Sequence, residues 1–357
     1  MSNKAREVLW PTDPNIIVRV VMLHVGQGSS TIVLGREGAG YRSLLLDINL
    51  DEKGEGIDVP ALMDDLLNGV SLDVFANSHP HEDHLCGVTD LSDRLTIHSV
   101  WHSGHVPERK VQSSYDNLQK VIKKVTKDFG ADAEVELLGS TSPFSFGDAE
   151  YYVLAPAEHV CDSIDDETDE VRRKRIHEQC AVLKFGIPDT WVMLPGDADR
   201  DAWEKNILPY HDHRAGAQVL AAIHHGSHSF FKKPDNDTDI YRTALETIDP
   251  EWVIVSAPKQ ANSKHKHPHD DAMELYEDQV GAERLCHTGE ACYSYIIDIY
   301  DDGSYEVTDD GGELREAYPY TSESNGSDDS GNEKSRLAAP AIVIKSRHNI
   351  REAEPFA

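Results

Sequence analysis

Between Ala76 and Thr89 the chain reads ANSHPHEDHLCGVT, and His79, His81, Asp83 and His84 within it form the pattern H-x-H-x-D-H. Four side chains of metal-ligating type fall within six residues, directly after the apolar run Leu72 to Ala76, which reads as a buried strand. On an extended backbone positions 79 and 81 point the same way, while 83 and 84, past a turn, can point across a shared cavity. The block can therefore feed two metal ions at once. A surface loop rich in His and acid is the plainer reading, but ligands this dense need a metal or bulk water to satisfy them. Farther along, His177, Asp197 and His225 each stand next to an expected strand. Nitrogen and carboxylate donors without thiolate suit zinc, manganese or iron; zinc is the expected ion and manganese the alternative.

The elements that must position these residues follow from apolar runs and their punctuation. IIVRVVML from Ile16 reads as a buried strand, closed by the turn Gly26-Gln27-Gly28. Thr31 to Leu34 and Ser43 to Ile48 read as two more strands, the second carrying Asp47 near its end. Pro60 suits the first turn of a short helix over Ala61 to Leu67, and Leu85 to Leu91 is expected to continue from the ligand block as a helix. After a strand at Ile97 to Trp101, Leu118, Val121, Ile122, Val125 and Phe129 make a helical stripe with Lys120, Lys123, Lys124 and Lys127 on its other face. With Arg109 and Lys110 this is the most basic stretch, read as a solvated helix face in preference to a nucleic-acid strip. Further strands are expected at 134–138, 144–146 and 151–155, assigned to one sheet system, and at 180–185, 191–194, 219–223 and 252–256, while 162–175 reads as an exposed loop. Strand followed by ligand-bearing loop, repeated, places the chemistry along one edge of a β-sandwich.

Six motifs in order, HVGQGSS at 24–30, Asp47, HPHEDH at 79–84, LPGDAD at 194–199, HHGSHS at 224–229 and KHPH at 266–269, carry a resemblance to the metallo-β-lactamase superfamily. Within it the chain resembles the soluble hydrolase domain of the ComEC competence family. The resemblance implies an α/β fold, an αββα sandwich of two mixed β-sheets flanked by helices. It implies a first site of His79, His81 and His177, with His102 and His105 as the other candidates for its third ligand, and Asp197 bridging both ions. The second site takes Asp83, His84 and one histidine of HHGS; the order His then Gly selects His225, leaving His224 to hydrogen-bond a ligand. His228 is a weaker candidate. Asp47 supports the ligand block through hydrogen bonds. The segment ANSKHKHPH at 261–269 is similar to the family's N-x-x-x-H-P, with Asn262 five rather than four residues before His267, and assigns His267 to substrate contact or acid catalysis, or else to structure. His24 and Ser29 stand where ComEC-type domains carry acids.

Two ions about 3.5 to 4 Å apart would share a water, lower its pKa toward neutrality and leave a hydroxide as nucleophile, oriented by Asp83, which also carries a proton. The expected function is thus a metal-dependent hydrolase, first a phosphodiesterase or nuclease, as the effector of a multi-protein system. A small-molecule hydrolase acting on a lactone, thioester or phosphoester is the second reading, and a non-catalytic metal-stabilised scaffold the third. The formal net charge of −30 repels nucleic acid on average, so a polymer substrate would need a local basic strip and the metals themselves. Five cysteines with no C-x-x-C argue against a disulfide framework. No run approaches the roughly 20 apolar residues that span a bilayer, and Met1 to Pro11 lacks a signal-peptide core, so a cytoplasmic protein without membrane association is expected. The chain divides into a loose lead-in over 1–15, a hydrolase domain over 16–318, and from 319 to 357 a disordered linker and tail, whose apolar stretch Ala338 to Ile344 could add an edge strand or bind a protein partner.

Overall fold

Alternation of apolar side chains within single strands decides the layering. In the first strand, β1 (Ile16–Met22), Val18, Val20 and Met22 point to one face and Val21 to the other, and all four are buried. A strand apolar on both faces must be covered on both, which calls for a layered architecture. The computed structural model describes residues 3–51, 55–109, 112–161, 167–233 and 238–321. The expected linker beyond Thr321 and the tail segment Ala338 to Ile344 lie outside the described residues.

Two sheets face each other. After β1, the first comprises β2 (Thr31–Glu37), β3 (Gly40–Leu46), β4 (Leu72–Asn77), β5 (Ile97–His102) and β6 (Glu134–Glu136). The second comprises β7 (Phe144–Phe146), β8 (Ala149–Ala155), β9 (Val182–Ile187), β10 (Thr190–Leu194), β11 (Val219–Ala221), β12 (Trp252–Val255) and β13 (Leu285–His287); β14 (Tyr295–Tyr300) and β15 (Tyr305–Asp309) return to the first. The spatial orders are β15-β14-β1-β2-β3-β4-β5-β6 and β13-β12-β11-β10-β9-β8-β7. Pairing is parallel from β3 through β6 and from β10 through β13, and antiparallel elsewhere, so both sheets are mixed. The expected strand run at 134–155 is corrected here: β6 extends the first sheet and β7 and β8 begin the second.

Three apolar clusters fill the gaps between layers. The middle one joins Val18, Val20, Leu44 and Val74 of the first sheet to Leu183, Phe185, Val192 and Ile254 of the second. The outer face of the first sheet packs under α1 (Lys4–Leu9), α2 (Val59–Leu67), α3 (Val88–Arg94) and α4 (Gln112–Phe129). The outer face of the second is covered by Trp203, Phe230, Phe231, Leu245 and Tyr276. Lys120, Lys123, Lys124 and Lys127 of α4 are exposed on this outer layer, Lys124 donating to the Ser92 carbonyl.

The lead-in is not loose. Asn3 caps α1 by accepting from Arg6 N–H, Ala5 and Leu9 are fully buried, and the Ala5 amide donates to the Tyr318 hydroxyl at 3.0 Å. Six residues ending before a proline carry too little periodicity to show this in sequence. Likewise 169–175, expected as loop, is a helix capped by Thr168, stabilised by acids in its first turn and arginines in its last. The helix expected from Leu85 begins only at Val88; Glu82–His84 form a 3-10 turn instead, and Gly87, in the left-handed region, separates the two.

His24 ends the strand-to-turn passage after β1 and is buried, with neither ring nitrogen hydrogen-bonded. Burial lowers its pKa to about 4. The unfolded chain therefore binds a proton near pH 6.5 that the folded chain takes only near 4, so His24 weakens the fold as pH falls through that window and has no such effect above it. Denaturant unfolding at pH 7 and pH 4.5 should show His24→Leu losing about 2 kcal/mol less than the parent chain between the two; equal losses would refute the assignment.

Candidate metal centre

The loops that leave the C-terminal ends of β4, β10, β11 and β12 converge at one edge of the sandwich. From β4 come His79, His81, Asp83 and His84; from β10 comes Asp197, and from β11 come His224 and His225. His177 stands ahead of β9, in the stretch after the helix at 169–175. Ligand atoms of His79, His81, His177 and Asp197 lie within 4.8 Å of one another, as do those of Asp83, His84 and His225. Either group could hold an ion. Asp197 sits between them: Oδ2 is 3.5 Å from His79 Nε2, and Oδ1 is 3.3 Å from both His84 Nε2 and His225 Nε2.

Hydrogen bonds fix which way the imidazoles present their lone pairs. Asp47 Oδ2 lies 2.7 Å from His84 Nδ1; a carboxylate only accepts, so Nδ1 carries the proton. The Ser256 carbonyl does the same for His225 Nδ1 at 2.9 Å. Ser78 Oγ donates to Asp47 Oδ2 at 2.6 Å and is left to accept from His79 Nδ1 at 3.1 Å. Each of these rings therefore turns Nε2 inward. The consequence is a set of close nitrogen pairs, His84 Nε2 to His225 Nε2 at 3.1 Å, His79 Nε2 to His81 Nδ1 at 3.0 Å and His177 Nε2 to His81 Nδ1 at 3.4 Å. His81 Nδ1 can donate to only one of its two nitrogen neighbours at a time, so the cluster keeps a lone pair facing inward that a cation can accept.

The electrostatics agree. Burial pushes His79 well below the usual imidazole range and His177 to about 4, leaving both as neutral donors. Burial would lower His84 too, but Asp197 and Asp47 hold it well above its ordinary value, so here the acids retain a proton. Burial would raise Asp197, yet His224, His225, His84 and His79 keep its carboxyl well below the carboxylate range. Asp197 Oδ1 is buried and makes no hydrogen bond. An anionic oxygen in that state, with His79 and His177 neutral beside it and a proton held on His84 that a metal ion would replace, fits a divalent ion, and the oxygen and nitrogen donor set fits zinc or manganese.

Backbone geometry serves the same cluster. Asp47, His224 and His225 all have positive φ, at 58, 51 and 55°, which costs non-glycine residues on the order of 1–3 kcal/mol each. Two consecutive left-handed residues turn both imidazoles of HHGS toward Asp197, His224 Nε2 reaching its Oδ2 at 3.4 Å. Gly28, at φ +111°, lets the Asp83 carbonyl approach to where a Cβ would stand 2.2 Å away. Ser29 N–H donates to that carbonyl and Ser256 Oγ to the Gly28 carbonyl, so the G-Q-G turn clamps the ligand block.

The expected alternatives separate from the cluster. His102 bonds Glu134, and His105 bonds the Gln179 side chain at 2.8 Å, while His177 lies beside His79 and His81. His225 belongs to the second group; His224 stands against Asp197 and accepts or donates to Ser229 Oγ through Nδ1. His228 stacks on His269 at 4.0 Å, half exposed and outside both groups. His267 is buried next to His224 and His225, ring centroids 5.2 and 6.2 Å away, and burial followed by the His225 and His269 charges lowers it to about 3.

No family model matches the chain, and no curated protein matches it. Among solved structures, the metallo-β-lactamase fold protein YhfI from Bacillus subtilis is 13% identical, with 76% of this chain and 95% of that chain covered and a TM-score of 0.40. Igni18, a metallo hydrolase from Ignicoccus hospitalis, is 15% identical over 75% of this chain and 94% of its own, with a TM-score of 0.40. CmlA, a diiron β-hydroxylase from Streptomyces venezuelae, is 17% identical over 75% of this chain, with a TM-score of 0.42, and only 52% of its length is covered. Two mixed sheets lie face to face, helices cover both outer faces, and the loops gather at one edge. These layers make an αββα sandwich of two mixed sheets. Among the described residues no helix is long and apolar enough to cross a membrane.

Several residues that build the site carry no local signal. Cys180 Sγ accepts from the Asp197 amide at 3.3 Å, and Gly196 has no room for a Cβ, which would stand 2.8 Å from that sulfur. Ser78 and Asn77 both bond Asp47, and Ser256 orients His225. Only Ser78 and Gly196 stand next to a ligand in sequence.

Proposed function

We propose that this chain is a metal-dependent hydrolase of phosphodiesters, most simply a nuclease, related to the ComEC-type hydrolase domain. The observation that carries the proposal is Asp197, a buried carboxylate facing two adjacent groups of nitrogen and oxygen donors. Two divalent ions held by His79, His81, His177 and by Asp83, His84, His225, with Asp197 between, would polarise the scissile ester and acidify water. Asp83, with an oxygen 3.7 Å from His225 Nε2 and its side chain on the wall of an adjoining cavity, orients the attacking water and takes its proton. His267 is neutral near pH 7 and serves as a contact to the substrate, not as a proton donor. Asp47 acts through His84 by fixing its ring.

Support for a phosphate-bearing substrate comes from the segment at 264–267, where Lys264 and Lys266 alternate with His265 and His267, the last beside His224 and His225. In a chain of net charge −30 this is a local cationic strip beside the chemistry. The expected lysine strip on α4 lies instead on the outer layer of the first sheet.

The test is a substrate panel: purified protein with zinc or manganese is offered plasmid, single-stranded DNA, RNA, bis-p-nitrophenyl phosphate and a lactone. Diester cleavage lost in Asp83→Ala and His81→Ala is the expected result. Lactone turnover with inert diesters would move the protein to the small-molecule hydrolases, and metal binding with no turnover would leave a scaffold.

A further inference from the structure

Four strands form the edges of the two sheets, and β15 is the longest of them, with five residues against three in β6, β7 and β13. The Tyr300 amide donates to the Ser304 carbonyl and the Asp310 amide to the Ser294 carbonyl, so the hydrogen-bonded pairs of the β14–β15 ladder fall at even positions of β15. Alternation then turns the amides and carbonyls of Tyr305, Val307 and Asp309 away from β14. No backbone group among the described residues meets them. The side chains of Tyr305 and Val307 face the layer between the sheets, where Val307 is buried but Tyr305 and Cys286 of β13 are only partly covered. A row of unpaired backbone groups beside partly covered apolar side chains is a template for one more strand.

We infer that the β15 edge is closed by residues 341–345 of the same chain, Ala-Ile-Val-Ile-Lys, paired along it as a further strand. Five residues face five. The β-branched run Ile342-Val343-Ile344 suits a strand, and the residues that flank it, Pro340 and Lys345, are of the kinds that sheet edges tolerate and that discourage pairing beyond them. Charge matches the segment to this edge. Between residues 301 and 310 the chain carries Asp301, Asp302, Glu306, Asp309 and Asp310 and no lysine or arginine; between 334 and 351 it carries Lys334, Arg336, Lys345, Arg347 and Arg351 and no acid. Chain length permits the return. The described residues leave β15 through the helix Glu313–Ala317 and run to Thr321, anchored by the Tyr320 amide on the Gly56 carbonyl. The 19 residues at 322–340 span roughly 60 Å when extended at about 3.3 Å each, against a radius of gyration of about 20 Å for a domain of this size. The inference is independent of the hydrolase reading.

Amide hydrogen exchange, resolved by residue with NMR, tests the pairing in three proteins: the full chain, the full chain with Val343→Pro, and a chain shortened to end at Thr321. Proline removes a ladder donor and bars the segment from regular pairing. The amides of Tyr305, Val307 and Asp309 are expected to exchange roughly tenfold or more slowly in the full chain than in the other two. Amides of β14 are paired with or without the added strand and should exchange alike in all three, which shows that the body of the fold is kept. A peptide of residues 334–351 added to the shortened chain should restore the protection, and less of it at about 1 M than at about 0.1 M salt, because exposed charges are screened. Equal exchange at Tyr305, Val307 and Asp309 in the full and shortened chains would overturn the inference, and so would protection that survives Val343→Pro. Protection that rises with protein concentration, alongside a dimer in sedimentation, would overturn it in favour of a strand supplied by a second copy. Should the shortened chain lose protection in β14 as well, the comparison of the full chain with Val343→Pro decides.

Discussion

Asp197→Asn should leave the fold intact and reduce diester hydrolysis about a thousand-fold. Asparagine has the same shape, so the packing around Gly196 and Cys180 is kept. What goes is the charge that faces His84 and His225 at 3.3 Å and His79 at 3.5 Å. Metal-derived stabilisation of developing charge is worth several kcal/mol, and about 4 kcal/mol at 1.36 per tenfold gives the stated factor. The same variant should retain fewer metal equivalents after dialysis than the parent chain. Initial rates with bis-p-nitrophenyl phosphate and metal analysis of the dialysed proteins check both halves. Unchanged rate and unchanged metal content would mean that Asp197 only stiffens its loop.

Chelation is the second large effect expected. Without an ion the pairs His84–His225 and His79–His81 keep nitrogen atoms 3.1 and 3.0 Å apart, and Asp197 Oδ1 stays buried and unbonded. The folded state therefore gathers donor atoms that the unfolded state leaves scattered, and an ion that binds only the folded state stabilises it. At a free metal concentration about 100 times the dissociation constant, linkage gives roughly 2.7 kcal/mol, equivalent to about 4–5 °C in melting temperature for a domain of this size. Thermal unfolding of the loaded protein against protein stripped with EDTA should show a fall of that order, restored by zinc or manganese and not by magnesium, which prefers oxygen donors. In Asp197→Asn the difference should shrink toward zero.

The ligand block could be read directly because its four residues are contiguous and follow an apolar strand, so a local pattern stands for a spatial one. Asp197 and His225 could be read because each sits in a short glycine-containing turn straight after a strand. His177 could not be separated from His102 and His105 by residue type; only the family order pointed to it, and only the fold shows His102 drawn off by Glu134 and His105 by Gln179. Choosing between His224 and His225 likewise depends on two successive left-handed residues that no composition reveals. Cys180, Ser78 and Ser256 contribute through single bonds across 17, 31 and 31 positions, which leave no periodic trace. The cavity beside Asp83 was invisible for the same reason: Gln27, Glu82 and Lys264 meet there from three distant loops. Errors in the layering were of another kind. α1 is held by burial of Ala5 and Leu9 beneath residues near 318, a tertiary contact that a six-residue helix needs in order to form at all.

All of these expectations depend on where cations settle. The most direct measurement is anomalous diffraction from crystals of the full chain grown with zinc or manganese, recorded above and below the metal's absorption edge. Two peaks about 3.5 to 4 Å apart are expected, one among His79, His81, His177 and Asp197 and the other among Asp83, His84, His225 and Asp197. No peak at this edge of the sandwich, or metal only at surface histidines such as His228 and His269, would contradict the account.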